Sequence, residues 1–585
     1  MKKEQDLMQN LMNERHSLSH LLAAAVLEIY PDAKVTLGPP IDNGFYYDFQ
    51  FTSAVSNDDL PKIQKKMLEL LPKWTEFTSQ EVSADEAREI FAGNEFKLEL
   101  INDIEKSGEK ITLYTCGGFT DLCKGGHIEN LSSIDKKSFE LNKVAGAYWR
   151  GDENNPMLTR IYGLAFETAQ DLDAYKKQLE EAAARDHRKI GKELDLFVFS
   201  SVVGKGLPIW TEKGATMRRV LERFIVDEEI NRGYKHVYTP DIANIDLYKK
   251  SGHYPYYKDS MYAPIKIDDD EYMLRPMTCP HHYELYLSKP RSYRELPMRI
   301  AELAKLYRYE QSGELSGLIR VRSFCLSDAH IICANPEQAQ QEISSALDLI
   351  EFMAHKLGLE YKKDYSYRLS LGNRENEEKY YKDDAAWNTS EEILRQTLIS
   401  RGSEFREAED EAAFYGPKID IQMKNVSGKE DTAFTVQYDF VMPKRFELEY
   451  TDSDGKIKEA IVIHRSSAGA IERVLAFLIE RTAGNFPLWI SPTQIEIITI
   501  NESQFEYAQE VANRLKSEGF RVGFDKSDEG FGKKVRKAKT EKTPYFVIIG
   551  DAEVESKTLT LESRDAGKIG SISLEDLVVK LKEEN

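Results

Sequence analysis

The chain has 585 residues, of which 41% are hydrophobic and 30% are charged. These fractions are close to those of ordinary globular proteins, so they exclude a wholly disordered chain and a collagen-like fibre, and the length predicts about four domains. The net charge of −20 argues against indiscriminate binding to nucleic-acid backbones or anionic membranes, although a local basic surface could still bind RNA.

The sequence also bears on the compartment in which the protein acts. No stretch approaches the roughly 18 uncharged apolar residues of a membrane helix, so no membrane association is predicted. The N-terminus lacks an apolar core followed by small residues, which argues against a secretory signal. The chain has only five cysteines, and an odd number cannot all pair, so a disulfide framework is not expected and a reducing compartment is indicated. A cytoplasmic protein is predicted.

The predicted fold class is a multidomain combination of α+β and α/β domains. Residues 1–185 are predicted to form an α+β domain that begins with a helix, and residues 168–196 read as one long charged linker helix at its end. Residues 186–485 mix long helices with alternating strands, which is typical of an antiparallel sheet covered by helices. Residues 486–585 alternate short apolar strands with helices, which predicts a small α/β domain with a largely parallel sheet.

Two short pairs of potential metal ligands occur in the first domain. His16 and His20 are four residues apart in a helical pattern and therefore face one way, and Cys123 and His127 have the same spacing. The two pairs could form a four-ligand zinc site. Two histidines on an amphipathic helix are as often ordinary packed side chains, so both interpretations stay open.

Three further potential ligands are widely separated in the middle domain. Cys279, His330 and His464 lack the short spacing of a zinc finger or ribbon. One cysteine and two histidines from distant segments can nevertheless form a three-ligand zinc site with an open fourth position, which is the catalytic arrangement. Spacing alone favours the alternative of three unrelated buried residues.

The middle domain also carries candidate anion-binding residues. Arg308 and Glu310 point the same way on a strand-like run, where they could bind a phosphate and a neighbouring amine. An exposed ion pair on a hairpin is the ordinary alternative. In IHRSSAGAIER, small residues precede a predicted helix with Arg473 in its early turns, and a helix start with a guanidinium suits a polyphosphate.

The order of several motifs identifies a family resemblance. The block Met277-Thr278-Cys279-Pro280-His281-His282, the runs SYRELPMRIAELAKLYRYE, IRVRSFCLSDAHI, AFYGPKIDI and TVQYDF, and IHRSSAGAIER occur in this order. Together they resemble the threonyl-tRNA synthetases, a family of class II aminoacyl-tRNA synthetases, over nearly the whole chain. The linker RDHRKIGKELDLF and the N-terminal domain resemble parts of the same family.

The resemblance implies a function and three domain roles. The expected activity is ATP-dependent ligation of threonine to tRNA(Thr) through threonyl-adenylate, with hydrolytic editing of seryl-tRNA(Thr). The N-terminal domain is expected to edit, the middle domain to catalyse the ligation and the last domain to bind the anticodon. One zinc ion per chain and Mg²⁺ with ATP are expected, together with a homodimer formed around Pro240.

The resemblance also implies roles for individual residues. The expected zinc ligands are Cys279, His330 and His464. The expected threonine-binding residues are Met277, Asp328, Tyr415 and Gln437. The expected ATP-binding residues are Arg308, Glu310, Arg320, Phe324 and Arg473, and Lys418 is a further candidate. Arg308, Glu310 and Arg473 are also expected to be catalytic residues. His253 is expected to act in the transfer of threonine to the tRNA ribose. The expected editing residues are His16, His20, Lys97, Asp121, Cys123 and His127.

Several positions depart from the family pattern. Leu326 stands where a polar amide is common near the amino acid, and His281 is an extra imidazole in the zinc loop. Cys123-Lys124-Gly125-Gly126-His127 differs mildly from the usual C-R-G-P-H, and the N-terminal ubiquitin-like domain of many relatives is expected to be lacking. Leu326 and the altered zinc loop support one rival, a synthetase of the same class for another amino acid. The second rival is a catalytically idle RNA-binding paralogue, and the intact Arg308, Glu310, Arg473 and three expected metal ligands argue against it.

The last domain contains a basic run that is either a solvated face or an RNA-binding helix. It consists of Lys533, Lys534, Arg536, Lys537, Lys539 and Lys542. By resemblance, Glu553 matches an anticodon-reading position. The arginine that the family commonly has close to Glu562 is absent, although Arg564 lies near, so the residues that read bases stay open.

Overall fold

The computed structural model describes residues 2–152, 154–426 and 428–585, with side chains from residue 7 onward. The described chain forms two compact units, one ending at Glu180 and one running from Glu181 to Asn585. Within the described ranges, no helix combines the length and apolarity needed to cross a bilayer.

The first unit is an α+β fold with two antiparallel sheets. Its helices are α1 (Lys2–Ile29), α2 (Leu60–Leu70), α3 (Ala84–Ile90), α4 (Glu95–Ser107) and α5 (Ala169–Arg185), the last of which ends beyond the unit boundary. Its strands are β1 (Lys34–Val35), β2 (Pro40–Ile41), β3 (Gly44–Gln50), β4 (Thr78–Val82), β5 (Ile111–Cys116), β6 (Phe119–Leu122), β7 (Phe139–Tyr148) and β8 (Met157–Ala165). One sheet has the order β1-β3-β8-β7 with β2 beside β3, and the other has the order β4-β5-β6.

The core of the first unit forms between α1 and the larger sheet. Leu18, Leu22 and Val26 repeat at helical spacing along α1 and are fully buried. Phe45 and Phe49 alternate along β3 and fill the same core. This packing holds the middle of α1, where the two histidines lie, against the sheet.

The predicted single linker helix is wrong in one respect. The chain forms two helices, α5 and α6 (His187–Glu193), separated at Asp186. The backbone of Asp186 leaves the helical region, and its carboxylate accepts a hydrogen bond from the N–H of Arg188. Because an aspartate in this position stabilises a helix start, a new helix begins instead of the old one continuing.

The second unit contains an eight-stranded sheet flanked by helices. Its strands up to residue 470 are β9 (Phe197–Phe199), β10 (Pro208–Trp210), β11 (Lys235–His236), β12 (Ile242–Asn244), β13 (Ile265–Ile267), β14 (Asp270–Leu274), β15 (Met298–Tyr307), β16 (Ser323–Cys333), β17 (Tyr365–Ser370), β18 (Phe405–Ala408), β19 (Lys418–Lys424), β20 (Glu430–Asp439), β21 (Glu449–Thr451), β22 (Ile457–Glu459) and β23 (Ile461–Ala470). The helices that follow α6 are α7 (Glu212–Asn231), α8 (Ile245–Ser251), α9 (His253–Tyr256), α10 (Cys279–Leu287), α11 (Pro336–Lys356), α12 (Asp384–Ser400), α13 (Met442–Phe446) and α14 (Ile471–Thr482).

The large sheet has the order β11-β15-β16-β23-β20-β19-β17-β18. Its six central strands pair antiparallel throughout, while the two edge strands pair parallel. Helices α11 and α14 pack against this sheet. Each helix buries apolar side chains along one face, such as Ile343 and Ile350 of α11 and Leu475 of α14. An antiparallel sheet with helices on it is the fold class predicted for the middle domain.

The end of the second unit is a smaller α/β fold. It contains β24 (Ile495–Thr499), α15 (Phe505–Ser517), β25 (Val522–Phe524), α16 (Phe531–Thr540), β26 (Tyr545–Ile549), α17 (Asp551–Ser556), β27 (Thr558–Ser563), β28 (Gly567–Ser573) and α18 (Leu574–Glu584). The strand order is β25-β24-β26-β27-β28, with two parallel and two antiparallel pairings. The predicted largely parallel sheet is therefore a mixed sheet, because the connection through α17 is too short for a parallel crossover.

Candidate active site

One cavity of about 370 Å³ lies on the eight-stranded sheet. Its walls come from the neighbouring strands β16, β23, β20 and β19, from the loop between β15 and β16, and from the first turns of α10 and α14. It is lined by the predicted metal, threonine and ATP residues Met277, Cys279, Arg308, Glu310, Arg320, Phe324, Asp328, His330, Tyr415, Gln437, His464 and Arg473, and by Lys418 and Leu326. Tertiary structure thus brings together residues that are spread over about two hundred positions of sequence.

Cys279, His330 and His464 converge at one end of this cavity. Their ligand atoms all lie within 4.8 Å of one another, and all three residues are buried. Cys279 is the first residue of α10, whereas His330 and His464 are directly opposed on β16 and β23. The sulfur and the two imidazoles form the kind of donor set that holds a divalent metal ion with a position left open.

The orientation of His464 is compatible with this use. Its Nε2 lies 2.7 Å from a carboxylate oxygen of Asp439, which leaves Nδ1 as the nitrogen available to a ligand. Asp439 is fully buried and accepts the backbone N–H groups of Val441 and Met442, each at 2.9 Å. A carboxylate held behind a histidine is the usual support of a metal-binding imidazole.

The electrostatics of Cys279 also fit a bound cation. Burial, followed by the nearby carboxylates of Asp328 and Asp439, raises the pKa of the thiol well above its ordinary value. A metal ion would reverse this effect, because a coordinated thiol is deprotonated. Burial raises the pKa of Asp328 in the same region. The residues present therefore fit a metal ion that accepts sulfur and nitrogen.

Two buried guanidiniums form the cationic side of the cavity. Burial lowers the pKa of Arg308, and burial together with the positive charge of Arg308 lowers the pKa of Arg473. Arg473 donates to the backbone oxygens of Ile319, at 3.1 Å, and Thr432, at 2.8 Å. In the part of the chain that the structure describes, neither arginine has a carboxylate within ion-pair distance. Two such charges near each other favour an anionic ligand.

The glutamate and the aromatic ring near these arginines are also placed in the cavity. Glu310 pairs with Arg320, Oε2 to Nε at 2.7 Å, and not with Arg308. The guanidinium of Arg308 lies 5.2 Å from the centre of the Phe324 ring. The ordinary alternative, an exposed Arg308–Glu310 ion pair, is therefore wrong. Phe324 and the two arginines instead border one space.

Polar and apolar side chains share the remaining wall. The Tyr415 hydroxyl donates to Gln437 Oε1 at 2.7 Å, and the Tyr415 ring stacks on His464 with 4.9 Å between ring centres. Leu326 pairs with Ala470 across β16 and β23, next to an irregularity in register. These two residues make an apolar patch at the position where a polar amide was expected.

His253 and His281 lie outside this wall. His253 is fully buried, with Nδ1 2.7 Å from the Ser251 hydroxyl and Nε2 4.0 Å from Cys279 Sγ. Burial, then His464 and Arg308, lowers the pKa of His253 to about 3, so the ring is neutral. Neither ring nitrogen of the buried His281 has a hydrogen-bond partner among the described residues.

The first unit has its own cavity of about 410 Å³, lined by five of the predicted editing residues, namely His16, His20, Lys97, Asp121 and Cys123. His127 adjoins these residues, because the ligand atoms of His16, His20, Cys123 and His127 all lie within 4.8 Å of one another. Cys123 Sγ is 3.6 Å from His16 Nε2 and 3.3 Å from His127 Nε2. Both interpretations of the four residues stay geometrically possible.

Burial shifts the pKa values of the three histidines and the cysteine in this cluster toward their uncharged forms. Burial lowers the pKa of His16 and His20, and burial with the neighbouring histidines lowers the pKa of His127 to about 2. Burial raises the pKa of Cys123 to about 11. The imidazoles are therefore unprotonated near pH 7, and each has a lone pair that can accept a hydrogen bond or bind a metal.

A buried charge pair forms the floor of the same cavity. Lys97 makes an ion pair with Asp121, and each is almost completely buried. The hydroxyl of Tyr47 donates to Asp121 at 2.5 Å and lies 3.4 Å from Lys97 Nζ. Sequence reasoning missed Tyr47, although the alternation of β3 does place it on the same side as Phe45 and Phe49.

The basic run of the last domain is only partly free to bind RNA. Lys534 is buried and donates to the backbone oxygen of Asp525 at 3.1 Å, and Lys537 lies 3.7 Å from the carboxylate of the same residue. Arg564 donates to the backbone oxygens of Phe486 and Lys542. These residues therefore also hold the domain together.

Glu553 makes local contacts within the last domain. It accepts from the Thr560 hydroxyl at 2.8 Å and from the Gly550 N–H at 2.9 Å. The contact with Gly550 caps the start of α17, and the contact with Thr560 ties this helix to β27.

Comparison with known proteins agrees with this arrangement. Residues 262–482 match the family model described as tRNA synthetase class II core domain (G, H, P, S and T). Residues 494–584 match the anticodon binding domain, and residues 111–162 match the threonyl and alanyl tRNA synthetase second additional domain.

Individual relatives cover almost the whole chain. A threonine–tRNA ligase of Geobacillus sp. strain WCH70 is 46% identical over 583 residues, which are 99% of this chain and 89% of that protein. The threonine–tRNA ligase of Staphylococcus carnosus is 47% identical, over 97% of this chain and 87% of that protein. A solved structure of the RNA binding domain of threonyl-tRNA synthetase from Cryptosporidium parvum is 35% identical with a TM-score of 0.65, covering 68% of this chain and 98% of that one. The chain belongs to the threonine–tRNA ligase family of class II aminoacyl-tRNA synthetases.

Proposed function

We propose that this protein ligates threonine to tRNA(Thr) in two steps, with ATP-dependent formation of threonyl-adenylate followed by transfer to the tRNA. The observation that supports it best is the juxtaposition, in one cavity, of the Cys279/His330/His464 cluster and the paired guanidiniums of Arg308 and Arg473. The Cys279/His330/His464 cluster could hold a metal ion that binds the amino acid, and the two guanidiniums could bind the triphosphate of ATP.

Zinc is the metal that we propose for the cluster, since one thiolate and two imidazoles match its preferences and leave a position open. When bound, zinc would supply coordination positions for the amino and hydroxyl groups of threonine. Valine has the shape of threonine but no hydroxyl, and a site built to bind a hydroxyl rejects such an analogue far better than an apolar pocket does.

Activation requires little covalent chemistry from the protein. Arg308 and Arg473 bind the phosphates of ATP, which enters with Mg²⁺, and Phe324 stacks on the adenine. Arg320, Glu310 and Lys418 complete this side of the cavity. A threonine carboxylate oxygen attacks the α-phosphorus in line, the new P–O bond forms, and the bond to the pyrophosphate leaving group breaks. Positioning and charge neutralisation provide the acceleration.

The polar wall orients threonine for this attack. Asp328, Tyr415 and Gln437 provide an acceptor and a linked hydroxyl–amide pair, while Met277 closes the side near Arg308, whose Nη2 lies 3.4 Å from its sulfur. Leu326 cannot donate a hydrogen bond. Leu326 lines the cavity without a polar side-chain group, which favours one specific second candidate function, a synthetase for a different amino acid.

A direct role for His253 in transfer to the ribose would require its ring to reach the cavity. The ring is fully buried behind Cys279, which argues for an indirect role in supporting the thiol. Single-turnover transfer from preformed threonyl-adenylate separates the two roles, because only a direct role makes His253→Ala slow in transfer while adenylate formation stays normal.

We propose that the first unit hydrolyses seryl-tRNA(Thr) without a metal. Serine shares the amine and hydroxyl of threonine and lacks only a methyl group, a difference that gives about 10- to 200-fold discrimination. A second hydrolytic site is therefore expected, with Lys97 neutralising negative charge and the neutral His16 orienting water or the ribose hydroxyl. The compact His16/His20/Cys123/His127 set favours the rival interpretation of a metal site.

We also propose a homodimer formed through the segment around Pro240. Tyr238 is 95% exposed and Ile242 is 43% exposed, so the segment presents apolar surface on both sides of Pro240. A second copy of this chain would cover them. Sedimentation equilibrium of the wild-type protein and of Tyr238→Glu tests the proposal, since a monomeric wild-type protein would contradict it.

ATP–pyrophosphate exchange with each of the twenty amino acids tests the main proposal. Exchange that depends on threonine, with valine far weaker, is the expected result. Exchange with another amino acid would favour the second candidate, and no exchange with any amino acid would favour an RNA-binding paralogue without activity.

A further inference from the structure

A chain of buried polar groups runs from the metal cluster into the body of the second unit. It begins at His330, passes through His282 of α10 and ends at Glu302 of β15, and each of the three residues is at most 2% exposed. We propose that His282 is a positioning residue that fixes the tautomer and the ring orientation of His330 for metal binding, with Glu302 as its anchor. This inference rests on the proposed metal site.

The distances define an unbroken chain of contacts. His330 Nδ1 lies 2.8 Å from His282 Nδ1, and the two rings are nearly perpendicular with 4.8 Å between their centres. The other ring nitrogen of His282, Nε2, lies 3.3 Å from Glu302 Oε2. His282 therefore uses both ring nitrogens, one toward the ligand and one toward a carboxylate.

The anchor is an ionised and immobile carboxylate. Glu302 accepts from the Thr239 hydroxyl at 2.7 Å and pairs with Arg275 at 3.0 Å. Burial by itself raises the pKa of Glu302, but the hydrogen bonds from His282 and Thr239 and the charge of Arg275 outweigh burial and hold it at about 2. Arg275 is fixed in turn by the backbone oxygen of Lys305, 2.7 Å from its Nε.

The proton positions follow from this anchor. An ionised carboxylate can only accept, so His282 Nε2 carries the hydrogen that it donates to Glu302. With its one ring hydrogen on Nε2, His282 has a lone pair on Nδ1, which accepts from His330 Nδ1–H. In neutral His330 the hydrogen on Nδ1 leaves Nε2 with a free lone pair, and this is the tautomer that a metal ligand requires.

The local structure explains why an imidazole mediates this contact. Glu302 lies directly opposite Asp328 on the neighbouring strand, so it shares a face with His330 but is displaced from it along the sheet. His282 lies three residues after Cys279 on α10, so both project from one side of the helix. The helix that supplies one ligand thus also supplies the side chain that spans the space between His330 and Glu302.

The two metal-binding histidines therefore receive the same kind of support by different routes. His464 contacts the Asp439 carboxylate directly, at 2.7 Å. His330 contacts Glu302 only through His282. Partners of this kind alter metal affinity by about 10- to 100-fold when they are removed.

Metal retention by the full-length protein tests the proposal. The zinc-loaded wild-type protein, His282→Gln, His282→Asn and Glu302→Gln are titrated with a chromogenic chelator, and the cobalt-substituted forms are compared by visible absorption. Asparagine places an amide near the former Nδ1 and can still contact His330, whereas glutamine places it near the former Nε2. We expect His282→Gln to lose zinc at about 10- to 100-fold lower chelator activity, with a changed cobalt spectrum. His282→Asn is expected to lose less.

A matched control separates positioning from general loss of stability. His187 is a buried histidine with Nδ1 2.7 Å from Glu480 and Nε2 accepting the Leu318 N–H at 3.0 Å, so His187→Gln removes similar contacts away from the metal ligands. It should leave zinc retention and the cobalt spectrum unchanged. Zinc retention by His282→Gln equal to that of wild type, or equal losses in His282→Gln and His187→Gln, would overturn the role of His282. A wild-type protein that takes up neither zinc nor cobalt would instead overturn the metal assignment itself.

Discussion

His330 and His464 lie directly opposite each other on the antiparallel strands β16 and β23, with 4.6 Å between their ring centres. Directly opposed residues of an antiparallel pair project from the same face, so this register places both imidazoles on the cavity side of the sheet. A slip by one residue would send one ring to the other face and separate the two proposed metal ligands.

The first prediction concerns metal content. The purified protein should contain one zinc ion per chain, and the double variant Cys279→Ser/His330→Ala should contain none, because it removes two of the three proposed ligands. Elemental analysis measures the content. Cys333→Ser is the matched control, since Cys333 is also a buried thiol on β16 but is not part of the cluster. Unchanged zinc in the double variant would contradict the assignment.

The second prediction concerns the guanidiniums. Arg308→Ala and Arg473→Ala should each lose about 2–4 kcal/mol of transition-state stabilisation, equivalent to roughly 30- to 1,000-fold slower ATP–pyrophosphate exchange at saturating threonine. The exposed Arg294→Ala should exchange at the wild-type rate. Circular dichroism and thermal midpoints check that the fold is kept. Rates within threefold of wild type would remove both arginines from the ATP site.

The third prediction concerns editing. His16→Ala/Lys97→Ala should clear pre-charged seryl-tRNA(Thr) at least tenfold more slowly than wild type, because it removes the imidazole proposed to orient water and the cation proposed to neutralise negative charge. The exposed Lys137→Ala is the control for charge. Chelation should leave hydrolysis by the wild-type protein unchanged. Loss of hydrolysis with chelator and its return with zinc would establish the metal interpretation instead.

The fourth prediction concerns pH-dependent stability. Burial, then the carboxylates of Glu541 and Asp525, raises the pKa of Glu496 to about 7 from 4.5. The folded state therefore binds a proton that the unfolded state releases above pH 4.5, so the stability associated with this group is lost as pH rises from about 4.5 through 7. Glu496→Gln imitates the protonated side chain and should raise the stability at pH 8 by about 3 kcal/mol.

Thermal midpoints of the wild-type protein and of Glu496→Gln at pH 5 and pH 8 check this prediction. The stabilisation should be largest at pH 8 and should shrink toward pH 5. The exposed Glu506→Gln removes one charge from the same domain and serves as the control. A stabilisation that is equal at both pH values would show that Glu496 does not titrate in this range.

Much of the architecture could be predicted from local patterns. Helical spacing of apolar residues marks the buried face of α1, and strand alternation marks β3 and β20, because these periodicities are properties of the single element. The ordered motifs pointed to the family and to the residues that line both cavities. Cys279, His330 and His464 were candidates on chemical grounds, but spacing alone could not favour them over three unrelated residues.

Other features were decided only by tertiary structure. Spacing left open whether Arg308 pairs with Glu310, and the fold pairs Glu310 with Arg320 instead. Tyr47 lies beside Asp121 only because the fold brings β3 close to β6.

The support of His330 by His282 and Glu302 was also decided by the tertiary structure and not by the sequence pattern. It depends on the register of β15 with β16 and on the insertion of α10 against the sheet. A sequence pattern carries the period of one element, whereas the contacts of a buried polar group depend on which elements pack together and in which register.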